Sequence, residues 1–543
     1  MEDNVAFEAR DSQRNRFGAA IRDNLTMKIL FYYRGSEQLG IEALTGILKR
    51  EGHQVGLLFD PGADNVFYFQ LPILERLRIE DRLVKQAIEF QPDIVAFSCL
   101  TNLYPYVKSI ANRLKQHLKV PFVIGGVHPS TLPDKIFEDE IFDYLCIGEG
   151  DYAFLDLVQA INKGEDTTAI KNIDAKIDGQ IYKNDQRPLI QNLDELPLPD
   201  KGLFYDRGAF SSSLLFMTSR GCPFKCSFCV NNFYNELKES HERPVRQKSV
   251  DYAIREIESA LCYGKPRTVD FLDDIFGLKP AWLEEFATVY PKKIGLPFFC
   301  NVYPSAVTKK HAALLKKSGC AIVAMGVQSG SPEVRSKMLR KETNEQIEQS
   351  TRYLVEAGIK VYAEFIFGYT DETSNQMWES VELSQRMMSN GSTSLGTFIF
   401  YPFPNTEAQR QSDAIGLINE DQRKSIAEGY GSYKSSIMLE QPYQNEALNL
   451  ASLLPLFSKL PPFFTERYLQ KIYKRPSGRT VKVIGVISTL LLANSWFLSH
   501  YINPLRMLLR AFVRPKFHWL FDILDQLRQD PMAHDQLIIE RFN

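Results

Sequence analysis

The chain has 543 residues, of which 44% are hydrophobic and 24% are charged, and its formal net charge at pH 7 is −2. This length and composition predict roughly two to four domains with sizeable hydrophobic cores. The charge excludes a general nucleic-acid binder, which would be basic overall. Residues 1–26 are polar and lack the apolar segment of a secretory signal, so we expect a flexible extension on a cytoplasmic protein.

Residues 27–165 alternate short apolar runs with amphipathic segments. This alternation predicts an α/β domain with a doubly wound parallel sheet of the Rossmann type, whose ligand crevice lies beyond the carboxyl ends of the strands. No G-x-G-x-x-G motif follows the first predicted strand, so a dinucleotide ligand is disfavoured. The predicted strands are Lys28–Tyr33, Val55–Phe59, Ile94–Ser98, Pro121–Ile124 and Tyr144–Ile147.

Residues 166–210 are rich in proline and acidic residues, which predicts a connector between two domains. Strands and helices alternate again in residues 211–430. Six βα units there predict a partial (β/α)6 TIM-like barrel with its active site at the carboxyl ends of the strands. The predicted barrel strands are Leu214–Thr218, Thr268–Leu272, Phe298–Val302, Ile322–Val327, Lys360–Phe367 and Ser394–Tyr401.

A C-x3-C-x2-C run, formed by Cys222, Cys226 and Cys229, directly follows the first barrel strand. Three thiolates can hold three irons of a [4Fe–4S] cluster and leave the fourth iron open, whereas a ferredoxin-type carrier uses four cysteines for each cluster. A structural zinc site is disfavoured, because the nearest histidine, His241, has no second Cys or His at motif spacing. The run therefore predicts a cluster whose open iron binds a small molecule.

Four segments in this order resemble the radical S-adenosylmethionine (SAM) superfamily. After the cysteine run, the segment 269–277 resembles that family's strand with an acidic turn, 322–330 its G-x-E-S-G strand, and 365–373 its F-x-x-G-x-P-x-E-T strand. The chain departs from the pattern at two positions. Gln328 replaces the usual Glu, and Thr370 replaces the usual Pro.

The resemblance implies a [4Fe–4S] cluster and SAM bound to its open iron, together with an external electron donor such as flavodoxin or ferredoxin. The cofactors, not a side chain, would generate the 5′-deoxyadenosyl radical, and the resemblance identifies no catalytic side chain. The residues implied to contact SAM are Phe228, Asp273, Asp274, Gln328 and Ser329. For the polar residues among them, ordinary hydrogen bonding at strand ends is the alternative role.

A G-G-x-H-P segment at 125–129 and a G-E-G segment at 148–150 precede this core, and the arrangement over about residues 27–430 resembles the cobalamin-binding (B12) subgroup of the superfamily. The D-x-H-x-x-G loop of many cobalamin domains is missing after the first strand, so the resemblance does not extend to a histidine ligand of cobalt and leaves the lower axial ligand open. His128 either lines the corrin crevice or caps a short helix. For Glu149, capping the next helix is favoured over binding a ligand hydroxyl. The residues implied to contact cobalamin are Ser98, Thr101, Gly125, Gly126, His128, Gly148 and Glu149.

Together, the two cofactor domains imply methylation of an unactivated carbon in an apolar or lipid-like small molecule. One SAM would supply the methyl group through cobalamin, and another would generate the substrate radical. A radical oxidative cyclisation or rearrangement without methyl transfer is the alternative. A non-catalytic cobalamin or iron–sulfur sensor would need an output module, and none is apparent in the sequence.

Residues 431–543 are predicted to be mainly helical and basic. The segment 467–521 has ten Lys or Arg residues and no Asp or Glu, and its uncharged part, 483–505, is too polar for a good membrane-spanning helix. In residues 505–514, apolar and arginine residues lie on different helical faces. This pattern predicts either peripheral attachment of 467–521 to an anionic membrane surface or a helix that closes the open barrel.

Overall fold

The computed structural model describes residues 26–62, 79–209, 213–237, 245–264, 266–392, 394–431, 443–458 and 462–474. The predicted N-terminal extension (but for its last residue), His241 and the amphipathic segment 505–514 lie outside the described residues. None of the described helices is long and apolar enough to cross a membrane.

The N-terminal domain is built on a seven-stranded sheet with the strand order β2-β1-β3-β4-β5-β6-β7. Strands β1 to β5 are parallel, as predicted, because their apolar runs are buried by helices on both faces. The strands are β1 (Lys28–Arg34), β2 (Gln54–Asp60), β3 (Ile94–Ser98), β4 (Phe122–Gly125), β5 (Tyr144–Cys146), β6 (Ile173–Ile177) and β7 (Gln180–Tyr182). The helices are α1 (Leu39–Arg50), α2 (Ile79–Phe90), α3 (Tyr104–Lys115), α4 (Val127–Thr131), α5 (Pro133–Glu138) and α6 (Asp151–Lys163).

The sheet continues beyond the predicted boundary at residue 165, since β6 and β7 add to it as antiparallel strands. Ile173, Ala175 and Ile177 alternate along β6 and are buried. This short apolar alternation was hidden in sequence by the proline-rich composition of the whole connector. The strand order changes direction between β1 and β3, which places the ligand crevice of a doubly wound sheet at their carboxyl ends.

The second domain contains a six-stranded parallel sheet with the order β15-β14-β13-β12-β11-β8, which forms an open barrel as predicted. Its strands are β8 (Ser213–Phe216), β11 (Thr268–Phe271), β12 (Phe298–Val302), β13 (Cys320–Gln328), β14 (Lys360–Phe367) and β15 (Ser394–Ile399), and a separate antiparallel pair is formed by β9 (Ser219–Arg220) and β10 (Arg246–Gln247).

Helices surround this sheet and follow its strands in chain order. They are α7 (Gly202–Tyr205), α8 (Val230–Leu237), α9 (Val250–Ala260), α10 (Pro280–Lys293), α11 (Lys309–Ser318), α12 (Pro332–Lys337), α13 (Asn344–Glu356), α14 (Ser374–Ser389), α15 (Glu407–Ala414), α16 (Glu420–Ala427), α17 (Gln444–Phe457), α18 (Pro462–Phe464) and α19 (Gln470–Ile472). A π-helical turn spans Thr465–Leu469, and 3-10 turns span Thr101–Leu103, Leu193–Glu195, Leu261–Tyr263 and Pro304–Ala306.

The two faces of strand β14 have different surroundings: one packs in the hydrophobic core, and the other faces the interior of the barrel. Its alternate residues Val361, Ala363, Phe365 and Phe367 are fully buried in the main hydrophobic core. The intervening side chains are only partly buried and belong to the opposite face of the strand. Because successive side chains of a strand point to opposite faces, that second set lines the concave interior of the barrel.

Helix α17 covers the free edge of the barrel next to β15. Its residues Leu450, Leu453 and Leu454 are buried, and the hydroxyl of Thr397 on β15 donates a hydrogen bond to the carbonyl oxygen of Ala451. Part of the C-terminal region therefore closes the barrel, although with a different helix from the amphipathic segment 505–514.

Candidate active site

The three cysteines of the predicted cluster site lie on one loop after β8. All three thiols are free of disulfide bonds; Cys226 is buried, and Cys222 and Cys229 are partly buried. They belong to an apolar cluster that includes Ile275 and Tyr303. Burial raises the pKa of Cys222 to about 11 and that of Cys229 to about 12, so without a bound cation these groups are neutral thiols. Binding to iron would deprotonate them.

This loop fits a [4Fe–4S] cluster better than a single metal ion. Within the described part of the chain, no three His, Cys, Asp or Glu side chains are close enough to hold one metal ion. A cluster does not need such a close group, because each thiolate binds a different iron. Free thiols in an apolar setting are the ligands that such a cluster needs, and Cys222, Cys226 and Cys229 would hold it.

An aromatic and arginine stack supports the loop from one side. The ring of Phe224 lies parallel to that of Tyr303, with centroids 3.7 Å apart, and the Arg340 guanidinium lies 4.2 Å from the Tyr303 centroid. Arg340 also places Nη1 3.7 Å from Cys226 Sγ and donates from Nη2 to the carbonyl oxygen of Gly326 at 2.7 Å. No spacing pattern in the sequence links Arg340 to the cysteines, so this residue was not among the predicted site residues.

Asp273 anchors the segment that leads into the cysteine loop. Its fully buried carboxylate accepts hydrogen bonds from the Thr218 N–H at 2.9 Å, the Thr218 hydroxyl at 2.7 Å and the Ser219 hydroxyl. The neighbouring Asp274 is exposed and accepts a hydrogen bond from Asn231 Nδ2 at 2.7 Å. The bonds of Asp273 therefore hold the loop, and direct contact of either carboxylate with SAM stays a prediction.

Gln328 and Ser329 lie at the carboxyl end of β13, where the register with β14 shifts after Gly326. Gln328 adopts a left-handed backbone conformation with φ of 72°, which folds its amide over Gly326. Ser329 is fully buried, and its hydroxyl accepts a hydrogen bond from the Ser331 N–H at 3.1 Å. Phe228 packs where the cysteine cluster meets a second apolar cluster. Their contacts with SAM stay predictions.

Glu364 is a second residue that the sequence analysis missed. It lies on the interior face of β14, in register with Gly326 on one side and Gly396 on the other. The Gln328 amide covers the first glycine and the Tyr362 phenol the second. Burial raises the pKa of Glu364 to about 7, and none of the ion pairs between described residues includes it. The available signal was the alternation in the β14 sequence, which puts this glutamate on the non-core face.

The residues expected to contact cobalamin converge at the carboxyl ends of β3, β4 and β5. Ser98 pairs with Gly125, and Gly125 pairs with Cys146. Gly126 has φ of 105°, and a Cβ there would lie 2.8 Å from the carbonyl oxygen of Cys99. The Gly148 N–H donates a hydrogen bond to Ser130. The glycines therefore allow the loops at this edge to pack closely, and the cobalamin contacts of these residues stay predictions.

His128 lies buried between helix α3 and the second domain. It is fully buried, its ring centroid lies 4.5 Å from that of Tyr104, and Glu428 at the end of α16 is a neighbouring charge. Burial lowers the pKa of His128 to about 4. Helix α4 has Gly126 as its N-cap and no side-chain capping bond. The cap interpretation of His128 is therefore wrong, because the second domain buries this imidazole at the domain interface; a cobalamin contact stays a prediction.

Glu149 also differs from the favoured prediction. Its two carboxylate oxygens accept hydrogen bonds from Arg246 at 2.9 and 2.7 Å. Helix α6 begins at Asp151 with Gly150 as its N-cap and has no side-chain capping bond. The cap interpretation of Glu149 is wrong, since a charge from the other domain attracts the carboxylate. Thr101 is buried in the 3-10 turn after β3, so its cofactor contact stays a prediction, as does that of Glu149.

A cleft that is partly open to solvent lies between the two domains. One wall is the loop around Gly148 and Glu149 together with the connector, and the other is the start of the cysteine loop together with α8. Residues of both walls include Gly148, Glu149, Tyr152, Arg220, Gly221 and Tyr234.

Comparison with known proteins gives two family matches, the radical SAM superfamily over residues 216–384 and the B12 binding domain over residues 35–158. An uncharacterised methyltransferase of Pyrococcus horikoshii is 27% identical over 64% of this chain and 74% of its own length. An anaerobic magnesium-protoporphyrin IX monomethyl ester cyclase of Rubrivivax gelatinosus is 23% identical over 66% of each chain. The solved structure of the cobalamin-dependent SAM radical enzyme OxsB with aqua-cobalamin has a TM-score of 0.64 at 17% identity, covering 94% of this chain and 76% of that one.

Proposed function

Because the chain belongs to the radical SAM superfamily and carries a B12-binding domain, we propose that it methylates an unactivated carbon of an apolar or lipid-like small molecule. It is a cobalamin-dependent radical SAM enzyme, with a [4Fe–4S] cluster, SAM and cobalamin as its cofactors, and not a sensor. An electron donor such as flavodoxin or ferredoxin reduces the cluster.

The observation that carries this proposal is the cleft between the two domains. It joins the start of the cysteine loop to the edge of the Rossmann-like sheet, so that groups held on each side would face a shared space. When bound, the cluster and SAM supply a carbon-centred radical, and cobalamin supplies a carrier for a methyl group. A shared space between a radical source and a methyl carrier is what carbon methylation needs.

The side chains of the barrel have separate tasks in this proposal. Cys222, Cys226 and Cys229 hold the cluster. Arg340 supports the loop through Tyr303 and its buried ion pair with Glu342, and Glu364 provides a negative group on the interior face of β14, suited to the amino or hydroxyl groups of SAM. The apolar cluster around the cysteines excludes water, which would otherwise quench reactive species.

Anaerobic reconstitution with iron, sulfide and hydroxocobalamin tests the reaction class. The reconstituted protein is incubated with SAM, a strong reductant and a panel of apolar substrates, and S-adenosylhomocysteine and 5′-deoxyadenosine are quantified. We expect both products, and we expect S-adenosylhomocysteine to require cobalamin. Protein reconstituted without cobalamin is the control. Formation of 5′-deoxyadenosine and a modified substrate without S-adenosylhomocysteine would rule out methyl transfer.

That last outcome would favour the second candidate, a radical oxidative cyclisation or rearrangement. The 23% identity to an anaerobic magnesium-protoporphyrin IX monomethyl ester cyclase supports keeping this candidate. The two candidates share the cluster, SAM and cobalamin, and differ in whether a methyl group leaves SAM. Mass analysis of the product with methyl-deuterated SAM therefore separates them directly.

The proposal includes attachment to a membrane surface through residues 467–521. At the described start of this segment and directly before it, Tyr468, Phe463 and Phe464 are exposed by 44%, 61% and 45%, and Arg467 lies 5.7 Å from the Phe463 ring. Exposed aromatic side chains next to basic residues suit the interface of an anionic bilayer. The remainder of this segment, from residue 475 onwards, lies outside the described residues.

Flotation of the full chain with liposomes tests the attachment. We expect the protein to float with vesicles containing phosphatidylglycerol and not with neutral phosphatidylcholine vesicles. A double Phe463→Ser, Phe464→Ser variant should float less, whereas Ile415→Ser, which removes a side chain that is 54% exposed elsewhere, should not change flotation. Protein that stays in the dense fraction with both vesicle types would refute the attachment.

A further inference from the structure

Four alternating charges join the two cofactor loops across the domain boundary; we call them the junction. Arg220 donates to both carboxylate oxygens of Asp151, at 2.8 and 2.9 Å, and its Nη1 lies 3.7 Å from Glu149. Arg246 completes the junction by donating two hydrogen bonds to Glu149. Asp151 and Arg246 are buried, and bidentate pairs of this kind fix both distance and angle.

Neither domain can satisfy these charges alone. Arg220 on β9 lies directly opposite Arg246 on β10, so the barrel domain places two guanidinium groups side by side. In the other domain, Glu149 lies in the loop before helix α6, and Asp151 is the first residue of that helix. Two buried like charges without counterions are strongly unfavourable. The two arginines therefore require the two carboxylates as counterions. This pairing fixes the position of the loop before the cysteine run relative to the loop around Glu149.

The junction ends close to the predicted ligands of both cofactors. Arg220 precedes Cys222 by two residues, and Glu149 directly follows Gly148 at the edge of the Rossmann-like sheet. Asp151 begins helix α6, which fixes it to the body of that domain. A displacement of either side of the junction is thus transmitted to a cofactor loop through two or three residues of backbone.

We propose that the junction sets the separation of the cluster and the cobalamin, with Arg220 and Asp151 as positioning residues. This inference rests on the proposed function. Transfer between two bound groups depends steeply on their geometry, and a displacement of about 1 Å can cost about a hundredfold in rate. The junction acts on that geometry without touching the substrate.

The domains have other anchors, so loss of the junction should not separate them. Lys201 Nζ lies 2.8 Å from Glu37 Oε1 and 2.7 Å from Glu42 Oε2, all three being buried side chains. On the other side, Glu428 pairs with Lys108 at 3.1 Å and with Lys135 at 2.8 Å. Variants of the junction are therefore expected to fold while the cofactor loops move.

Electron paramagnetic resonance of the full, reconstituted chain tests the proposal. With the cluster reduced and the cobalamin in its Co(II) state, the two spins split each other's signals, and the splitting falls with the cube of their separation. We expect one resolved splitting in the wild type. Asp151→Asn, which removes the carboxylate that accepts two hydrogen bonds from Arg220, should lose this resolved splitting and give a broad signal.

Asp156→Asn is the matched control. Asp156 lies on the same helix and pairs with Arg187 at 2.5 Å, but its side chain is 44% exposed and its partner does not belong to the cysteine loop. It should keep the wild-type splitting. Asp151→Glu retains the charge with a longer side chain, so it should give a resolved but shifted splitting. Iron content and cobalamin stoichiometry are measured for every variant.

The outcomes separate this inference from the function on which it rests. A reconstituted wild type that retains no cobalamin, measured by its stoichiometry, overturns the proposed function and the positioning role with it. A wild-type splitting that is unchanged in both Asp151→Asn and Asp151→Glu, with both cofactors bound, overturns only the positioning role. If Asp151→Asn does not retain the cofactors, Asp151→Glu provides the test. A shifted splitting supports the positioning role, and an unshifted splitting overturns it.

Discussion

Replacing Glu364 by glutamine tests whether this carboxylate is kept for binding and not for stability. Glutamine has nearly the same size and shape but carries no charge. In the ligand-free protein Glu364 has no ion-pair partner among the described residues, and burial alone raises its pKa from 4.5 to about 7. Its charge is therefore a cost to folding that a bound ligand would have to offset.

The magnitude follows from linkage. A group whose pKa is raised in the folded state contributes stability below its unfolded pKa and loses it as the pH rises through the folded pKa. For Glu364 this window runs from 4.5 to about 7, and at about 1.4 kcal/mol for each pH unit the full loss is roughly 3 kcal/mol. Solvent screening of a partly exposed carboxylate reduces this to about 2 kcal/mol.

Thermal unfolding of the ligand-free protein at pH 5 and pH 8 is the assay. We expect Glu364→Gln to raise the Tm of the barrel domain by roughly 4–8 °C at pH 8, at 2–4 °C for each kcal/mol, and by much less at pH 5. Binding of SAM to the reconstituted variant should weaken by about 10- to 100-fold, as expected for loss of a hydrogen bond to a charged group.

Glu356→Gln is the matched control, because Glu356 is an exposed residue at the end of α13. Its Tm should change little at either pH, as for most surface substitutions. The reasoning fails if Glu364→Gln does not raise the Tm at pH 8, or if the gain is equally large at pH 5. An equal gain would mean that the charge of the carboxylate is not its source.

Three further substitutions test the site and the domain contacts. Cys226→Ala should abolish 5′-deoxyadenosine formation and the visible absorption of the cluster; retention of both would refute the cluster assignment. Asp273→Asn should lower the iron content after reconstitution, because the Thr218 and Ser219 bonds to its carboxylate are weakened; unchanged iron would contradict this. Lys201→Met should destabilise the chain by about 3–5 kcal/mol by leaving buried carboxylates unpaired. Lys49, whose side chain is half-exposed, is the control: in chemical denaturation, Lys49→Met should lower the free energy of unfolding by less than about 1 kcal/mol. Equal losses for the two substitutions would refute the role of burial.

The sequence predicted the two sheets well because their signals are local. The strands at Ile94–Ser98, Phe298–Val302 and Lys360–Phe367 have the predicted bounds. Apolar runs of this length between amphipathic segments leave few alternatives to a parallel strand. The cysteine loop was equally accessible, since its spacing and its place after the first barrel strand are both read from adjacent residues. The strands in residues 173–182 were not predicted because their apolar alternation is short, and their antiparallel pairing is not visible in the sequence.

Side-chain partners could not be predicted in the same way because they come from distant segments. Asp273 bonds to Thr218, 55 residues earlier, and Glu149 bonds to Arg246, 97 residues later. His128 is buried beside Glu428, which belongs to the other domain. In each case the local pattern allowed a ligand contact or a helix cap. Only the packing of distant segments on one another, within a domain or between domains, determines which polar group is left for a ligand.

The edge of the Rossmann-like sheet shows why charged and glycine residues there have different roles. A polar residue at the carboxyl end of a parallel strand is normally a candidate for ligand binding. Here the barrel domain supplies arginines that pair with Glu149 and Asp151, so these carboxylates serve the junction between the domains. Gly126 and Gly148, with φ of 105° and 76°, serve the packing of the edge itself, since a Cβ would lie 2.8 Å from the Cys99 carbonyl oxygen at Gly126 and 3.0 Å from Gln186 Oε1 at Gly148. The carboxylates therefore show how the two domains are held, and the cobalamin contacts of this edge stay predictions.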